Sequence, residues 1–195
     1  MIRLFTALCK KILENLSDES IFQEATDDKS YYDGKCPCCG ANGKLSPYGC
    51  YTRGFVSHDK GETTQTRVYI NRIICDSCAA THALLPDILV PYSPYTLRFK
   101  LNVLIAYFER ETTVVKICEY FGIAVSTLYE WKKCLLLHKQ LLLGVIIDMK
   151  KPALAFLYGL LGSHCLSDIL QGFFHKHAWS FLQVRSKLAT YSNAP

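Results

Sequence analysis

The sequence predicts an α+β protein that is mostly α-helical, with a small β-rich ribbon, a helix-turn-helix and a C-terminal helical tail. Three observations lead to this fold class. Two Cys-x-x-Cys pairs enclose a segment of β-like sequence, residues 93–143 repeat apolar side chains at helical spacing, and residues 144–195 are apolar and aromatic with few turn signals. The 195 residues, half of them apolar, are enough for one ordinary domain or two small ones.

The patterning divides the chain into four segments. Residues 1–34 hold an N-terminal helix, predicted over residues 2–16 from its apolar spacing, and an acidic, turn-rich linker. Residues 35–91 form the ribbon, residues 92–143 the helix-turn-helix, and residues 144–195 the helical tail. The helical half carries more basic than acidic side chains, which mildly favours a nucleic-acid partner.

Cysteine usage bears on the cellular compartment. The chain has ten cysteines, which would suit a disulfide framework if the N-terminus were secretory. Lys10 and Lys11 interrupt the short apolar run there, and no small-residue cleavage site follows. We therefore expect a cytoplasmic protein, in which paired cysteines usually bind metal. The longest apolar region, residues 135–162, is broken by charged side chains, so we expect no membrane span.

The two cysteine pairs predict one metal site. Cys36 and Cys39 are separated by two residues, as are Cys75 and Cys78, and this spacing lets both sulfurs of a pair reach one tetrahedral ion. Residues 66–74 between the pairs read as a β-strand. Such a pattern is typical of a zinc ribbon, and four thiolates leave no coordination position for water or substrate. We therefore expect one structural Zn²⁺, with Cys38 pointing away.

Other interpretations of these residues are weaker. A redox Cys-x-x-Cys needs one pair at the start of a helix, whereas the first pair here precedes hairpin-like sequence. His82 lies four residues after Cys78 and could replace a sulfur, although a histidine beside a metal turn is more often a neighbour of the ligands. The remaining cysteines are scattered and read as small buried hydrophobes.

Residues 93–143 predict three helices. Ser93 as N-cap and Pro94 at the first position begin a helix that runs to about Arg110. Thr113 caps a second, short helix, which Gly122 ends by adopting a left-handed conformation.

The third helix begins at Ser126 as N-cap, and its apolar positions recur on one face. These inward positions are Leu128, Trp131 and Leu135. Two helices joined through a Gly turn, after a longer first helix, predict a helix-turn-helix.

The predicted third helix would enter the major groove of double-stranded DNA with its N-terminal residues. Hydroxyl side chains of that helix would form hydrogen bonds with base edges or phosphates, and its lysines would neutralise phosphates. The alternative is an ordinary helical hairpin in a core. The side chains left for DNA are Ser126, Thr127, Tyr129, Glu130, Lys132 and Lys133.

Three stretches of the chain are CPCCGANGKL, CDSCAATHALLPDILVPYSPYTLRF and FGIAVSTLYEWKK. Together they resemble a bacterial family of transposase-like proteins that is defined by a domain of unknown function. The resemblance covers residues 35–143, and the end of the chain also looks like that family's end. It implies a zinc-binding ribbon followed by a helix-turn-helix, with a DNA-binding role related to transposases or mobile elements. Two departures are Ala79, where such turns usually have Gly, and Glu130, where a basic residue is usual.

Catalysis is not expected. A complete transposase needs three carboxylates around two metal ions, and residues 144–195 contain only Asp148 and Asp168 as acids. The sequence therefore predicts a DNA-binding protein that is not an enzyme, with a homodimer or a transposase as further partners. The alternative is a protein-interaction or scaffold module that docks a transposase or another partner.

Overall fold

The computed structural model describes residues 1–5, 16–27, 30–59, 61–144, 151–162 and 166–184, apart from the side chain of Ser30. It is a mixed α/β protein with a four-stranded sheet and helices. The metal-binding and helix-turn-helix assignments made from the sequence are taken up with the site below.

The sheet is built around one long hairpin. Strands β2 (Leu45–Asp59) and β3 (Glu62–Cys75) pair antiparallel, and β4 (Thr81–Pro86) pairs antiparallel with the end of β3. A short strand β1 (Ile2–Leu4) pairs parallel with β4, so the strand order is β1-β4-β3-β2. The predicted β-run over residues 66–74 is therefore confirmed as the second half of this hairpin.

Apolar side chains occupy both faces of the sheet. Val68 and Ile70 on β3 pack against the helices in the main core, whereas Ile73 and Cys75 join a smaller cluster on the other face. Because side chains alternate along a strand, the change from even to odd buried positions means that β3 exchanges its buried face partway along. The small cluster contains two of the paired cysteines, so the segment that carries the cysteine pairs has its own apolar support.

The helices following the sheet are α2 (Leu97–Glu109), α3 (Val114–Phe121) and α4 (Val125–Leu143). The predicted end of the first helix is confirmed, since Arg110 is its left-handed C-cap. The prediction that Ser93 is its N-cap is wrong, because Thr96 accepts the hydrogen bond from the Phe99 N–H. Tyr95 and Thr96 form β-bridges, which hold the backbone extended and delay the helix.

The predicted N-terminal helix and linker differ from the structure. Residues 2–4 are strand β1 rather than helix, while residues 6–15 of that prediction lie outside the described residues. The segment taken as a linker contains helix α1 (Asp18–Asp27), with Ile21 and Phe22 buried in the main core, and a 3₁₀ turn (Ser30–Asp33). Charge and turn residues on its exposed side concealed this short apolar face.

Asp18 ties α1 to the start of α2. The residue is 5% exposed; one carboxylate oxygen accepts from the Thr96 hydroxyl at 2.6 Å and the other from the Arg98 guanidinium at 2.6 Å. A buried carboxylate is tolerated where charge-assisted hydrogen bonds replace its water. The acidic segment is thus part of the folded core.

The tail is helical where it is described, with α5 (Ala153–Leu161) and α6 (Leu166–His177). The backbone after α6 is held by two buried side chains: Lys100 Nζ donates to the Leu182 carbonyl at 3.0 Å, and the Leu182 N–H donates to His138 Nδ1 at 3.0 Å. Among the described residues, no single helix has the length and apolar content to cross a membrane; α5 and α6 meet that test only when combined across a 113° bend.

Candidate metal centre and helix-turn-helix

The two Cys-x-x-Cys segments form turns of the same kind. In the first, the Gly40 N–H donates to the Cys36 carbonyl at 2.8 Å; in the second, the Ala79 N–H donates to the Cys75 carbonyl at 2.8 Å. The closing residues both have left-handed backbone conformations, with φ of 74° at Gly40 and 57° at Ala79. The second turn therefore keeps the geometry of the first although alanine stands where glycine is favoured.

The turns bring all four predicted ligand sulfurs together. The sulfurs of Cys36, Cys39, Cys75 and Cys78 lie within 4.8 Å of one another. The Sγ atoms of Cys36 and Cys78 are 3.8 Å apart, and those of Cys39 and Cys75 are 3.7 Å apart. A tetrahedral ion bound to four sulfurs at about 2.3 Å requires sulfur separations of about 3.8 Å. The cluster therefore fits one tetrahedral metal ion.

The pKa values of two of these thiols are shifted in opposite directions. Backbone N–H groups, first of all that of Cys39, lower the pKa of Cys36 to about 6 against the opposing effect of burial. At Cys78 the backbone N–H of Ala80 acts in the same direction, but desolvation and the neighbouring cysteines raise the pKa to about 12. The first thiolate thus opposes ionisation of the next, and a divalent cation would remove that opposition.

Two residues adjoining the cluster can now be placed. His82, which is 6% exposed, has Nε2 3.4 Å from Cys36 Sγ and Nδ1 3.5 Å from the Met1 backbone nitrogen. It therefore contacts one ligand sulfur while the four sulfurs complete the tetrahedron without it. Cys38 is exposed, and its backbone N–H points at Cys36 Sγ at 3.4 Å.

The predicted helix pair is present with its core. Thr113 caps α3 by accepting from the Lys116 N–H, and Gly122 ends it with φ of 64°, both as predicted. Leu128, Trp131 and Leu135 of α4 are buried in the main core, also as predicted. The prediction that Ser126 is an N-cap is wrong: α4 begins at Val125, because the Gly turn is so short that the helix resumes directly after Ala124.

The side chains predicted to meet DNA lie on the outer part of α4. Ser126, Tyr129, Glu130 and Lys133 are exposed, while Thr127 is half-buried. Lys132 is engaged within the protein, since its Nζ donates to the Tyr107 hydroxyl at 2.7 Å. A single lysine in the predicted set is therefore exposed.

The hairpin tip positions the helix pair, a contact that the sequence did not predict. His58 of β2 approaches the Tyr120 hydroxyl of α3 with its Nε2 at 3.3 Å, and its ring lies 4.7 Å from that of Phe121. No sequence pattern predicted these contacts, because His58 and its partners in α3 are about sixty residues apart and belong to no common motif. Of the two acids in the tail, Asp168 lies in α6, whereas Asp148 lies outside the described residues.

Comparison with known proteins adds one match. A domain of unknown function, DUF6431, spans residues 36–131, which is the segment from the first cysteine ligand to Trp131 of α4. No curated protein and no solved structure matches the chain. The matched segment contains all four clustered cysteines, the whole of α3 and the first part of α4.

Proposed function

We propose that the protein binds one structural Zn²⁺ through Cys36, Cys39, Cys75 and Cys78 and binds double-stranded DNA through α3 and α4. The zinc assignment is supported by the donor set, because four thiolates favour Zn²⁺ or iron over the hard cations that prefer oxygen. Four cysteines also fill a tetrahedral ion, so the metal would hold the ribbon together without catalysing a reaction.

The DNA-binding proposal rests on one observation: the first turn of α4 is exposed directly after the Gly122 turn. In helix-turn-helix proteins that turn of the second helix meets base edges in the major groove. Ser126 and Tyr129 are exposed there, and Thr127 is half-buried beside them. Their hydroxyl groups would bond bases or phosphates, and Lys133 would neutralise a phosphate.

Glu130 and Lys132 have more limited roles in this proposal. The Glu130 carboxylate would repel phosphate but can accept from a cytosine amino group, so it would contribute to sequence preference. Lys132 reaches DNA only if it leaves the Tyr107 hydroxyl. We propose that the chain has no catalytic activity, that it is related to mobile elements or transposases, and that it acts in the cytoplasm.

The test combines metal analysis with duplex selection. The full chain is purified, its metal content is measured, and binding to a mixed pool of duplex DNA is followed at low and high salt. We expect one zinc per chain and affinity that falls steeply with salt. Lys133→Ala should weaken binding to all selected sequences and lower the salt slope by about 1. Gln140→Ala, exposed near the other end of α4, is the matched control and should change neither.

The alternative function is protein docking, and one observation favours it. Leu136 and Leu137 of α4 are 42% and 52% exposed, and these adjacent leucines place two apolar side chains together on the surface. A second copy of the chain or a transposase would cover them. One zinc per chain without duplex binding at low salt would reject the DNA-binding proposal and favour docking. A homodimer would be detected by light scattering and lost in Leu137→Lys.

A further inference from the structure

A groove of about 470 Å³ opens between β2, β4 and the loop formed by residues 91–94. Its lining includes Tyr51 and Arg53 of β2 and Pro91 and Tyr92 of the loop. Its volume lies in the range of sites that hold small organic groups. It is distinct from the proposed duplex site, which lies on α3 and α4.

The groove presents open aromatic rings. Tyr92 is 92% exposed and Tyr51 is 41% exposed. The loop holds Tyr92 outward with a left-handed backbone, at φ of 58°, a conformation that costs free energy for a residue with a bulky side chain. A large ring kept in water by a strained residue is a candidate for contact with a ligand.

The groove also contains a positively charged side chain, Arg53, that is held in place by hydrogen bonds. The Arg53 guanidinium donates to the Val90 and Ser93 carbonyl oxygens, both at 2.7 Å, so the side chain is held against the loop that carries Tyr92. Among the described residues that line the groove, none is acidic. An anionic ligand would therefore meet an arginine that is already ordered and no opposing charge.

A second pair of an arginine and an exposed aromatic ring lies on the same face of the sheet, beyond the groove. Arg72 of β3 is the cross-strand partner of Ala83, which lines the groove, and cross-strand partners share one face of a sheet. The Arg72 guanidinium lies 5.2 Å from the centre of the Tyr48 ring and donates to the Thr81 hydroxyl at 2.7 Å. Tyr48 is itself 55% exposed. Aromatic and basic side chains thus accompany each other along this face.

We propose that this groove binds the unpaired bases of single-stranded nucleic acid. Bases would stack on the rings of Tyr51 and Tyr92, and Arg53 and Arg72 would bind the phosphates between them. Proteins that bind single strands without strict sequence preference combine a basic groove with aromatic stacking partners in this way. A duplex cannot use such a site, because its bases are already stacked on one another. Aromatic grooves also bind proline-rich peptides, but those ligands do not require two arginines.

The test uses the zinc-loaded full chain and a fluorescently labelled oligothymidylate of roughly ten nucleotides, followed by anisotropy at low salt. Tyr51→Ala and Tyr92→Ala should each weaken binding by about fivefold to a hundredfold, the range found when a stacking ring is removed. Tyr69→Ala is the matched control: Tyr69 is 68% exposed on the opposite face, because its neighbour Ile70 is the cross-strand partner of Tyr51. It should bind as the unchanged protein does.

Three outcomes would overturn the proposal. The first is no binding of the oligothymidylate by the unchanged protein, and the second is an equal loss in Tyr51→Ala, Tyr92→Ala and Tyr69→Ala. The third is that a proline-rich peptide displaces the labelled oligothymidylate from the protein, whereas unlabelled single-stranded DNA does not. Because Tyr92 is almost fully exposed, its replacement will not unfold the protein, which keeps the test decisive if Tyr51→Ala is unstable. Duplex binding measured alongside separates the two proposals, since Lys133→Ala should affect only the duplex and Tyr92→Ala only the single strand.

Discussion

The two Cys-x-x-Cys turns offer a matched pair of substitutions, Ala79→Gly and Gly40→Ala. Both residues close a Cys-x-x-Cys turn, and both have left-handed φ, 57° at Ala79 and 74° at Gly40. A Cβ added at Gly40 would meet no atom within 4 Å, so its replacement by alanine changes the backbone preference without a steric clash. The pair therefore isolates the free energy of the left-handed conformation.

The magnitude follows from two opposing contributions. A left-handed conformation costs an alanine about 1–2 kcal/mol, whereas glycine loses about 0.4–1 kcal/mol more conformational free energy on folding. Ala79→Gly should therefore raise the free energy of unfolding by about 0.5–1 kcal/mol, and Gly40→Ala should lower it by about the same amount. For a chain of this size, that corresponds to about 1–4 °C in melting temperature in each direction.

Both variants should be compared with the unchanged protein in urea, with zinc loaded and its concentration fixed, because bound metal adds to apparent stability. The double variant should return close to the original midpoint, because the two opposite changes are of similar size; any remaining difference measures the coupling of the two turns. The reasoning fails if Ala79→Gly destabilises the protein, or if Gly40→Ala leaves the midpoint where it was.

Two further predictions concern charged groups in the core. Asp18→Ala should lower the free energy of unfolding by about 3 kcal/mol, because it leaves Arg98 and the Thr96 hydroxyl without their carboxylate partner. The control is Glu19→Ala at the exposed neighbouring position, which should change the free energy of unfolding by no more than about 0.5 kcal/mol. Equal urea midpoints for the two variants would contradict this prediction. Burial lowers the pKa of Lys100 to about 8 from 10.5, so between these pH values the unfolded chain binds more protons and the free energy of unfolding gains a contribution that rises with pH. Lys100→Met should lack that contribution. The free energy of unfolding of both proteins is measured in urea at pH 8 and pH 10, and subtracting one protein from the other removes the titration of the groups that both share. If the difference between the two proteins is the same at both pH values, the prediction is wrong.

Local sequence patterns predicted the parts of the structure that depend on neighbouring residues. The cysteine spacing identified four sulfurs that the fold brings within 4.8 Å, and the caps at Thr113 and Gly122 were correct. Strand β1 was missed because three residues show no period of their own and are held by a parallel partner about eighty residues away. Helix α1 was missed because only a narrow apolar stripe, including Ile21 and Phe22, distinguishes it from an acidic linker.

The long hairpin joins the metal centre to the helix pair. Cys75 ends β3 beside the metal cluster, whereas the other end of the hairpin places His58 against Tyr120 of α3. Fourteen residues of extended strand separate these ends by about 45 Å. Between them Val56 exchanges backbone hydrogen bonds with the loop that begins α2, accepting from the Thr96 N–H at 3.1 Å and donating to the Pro94 carbonyl at 2.6 Å.

This arrangement determines where the loss of metal would act first. At the sulfur end, a cation would bridge the two cysteine turns, and without it only the small apolar cluster would hold them together. The tip and middle of the hairpin pack on the main core, which contains none of the four clustered cysteines. Metal removal should therefore loosen the base of the ribbon before the helix pair, because the hairpin is held independently at its two ends.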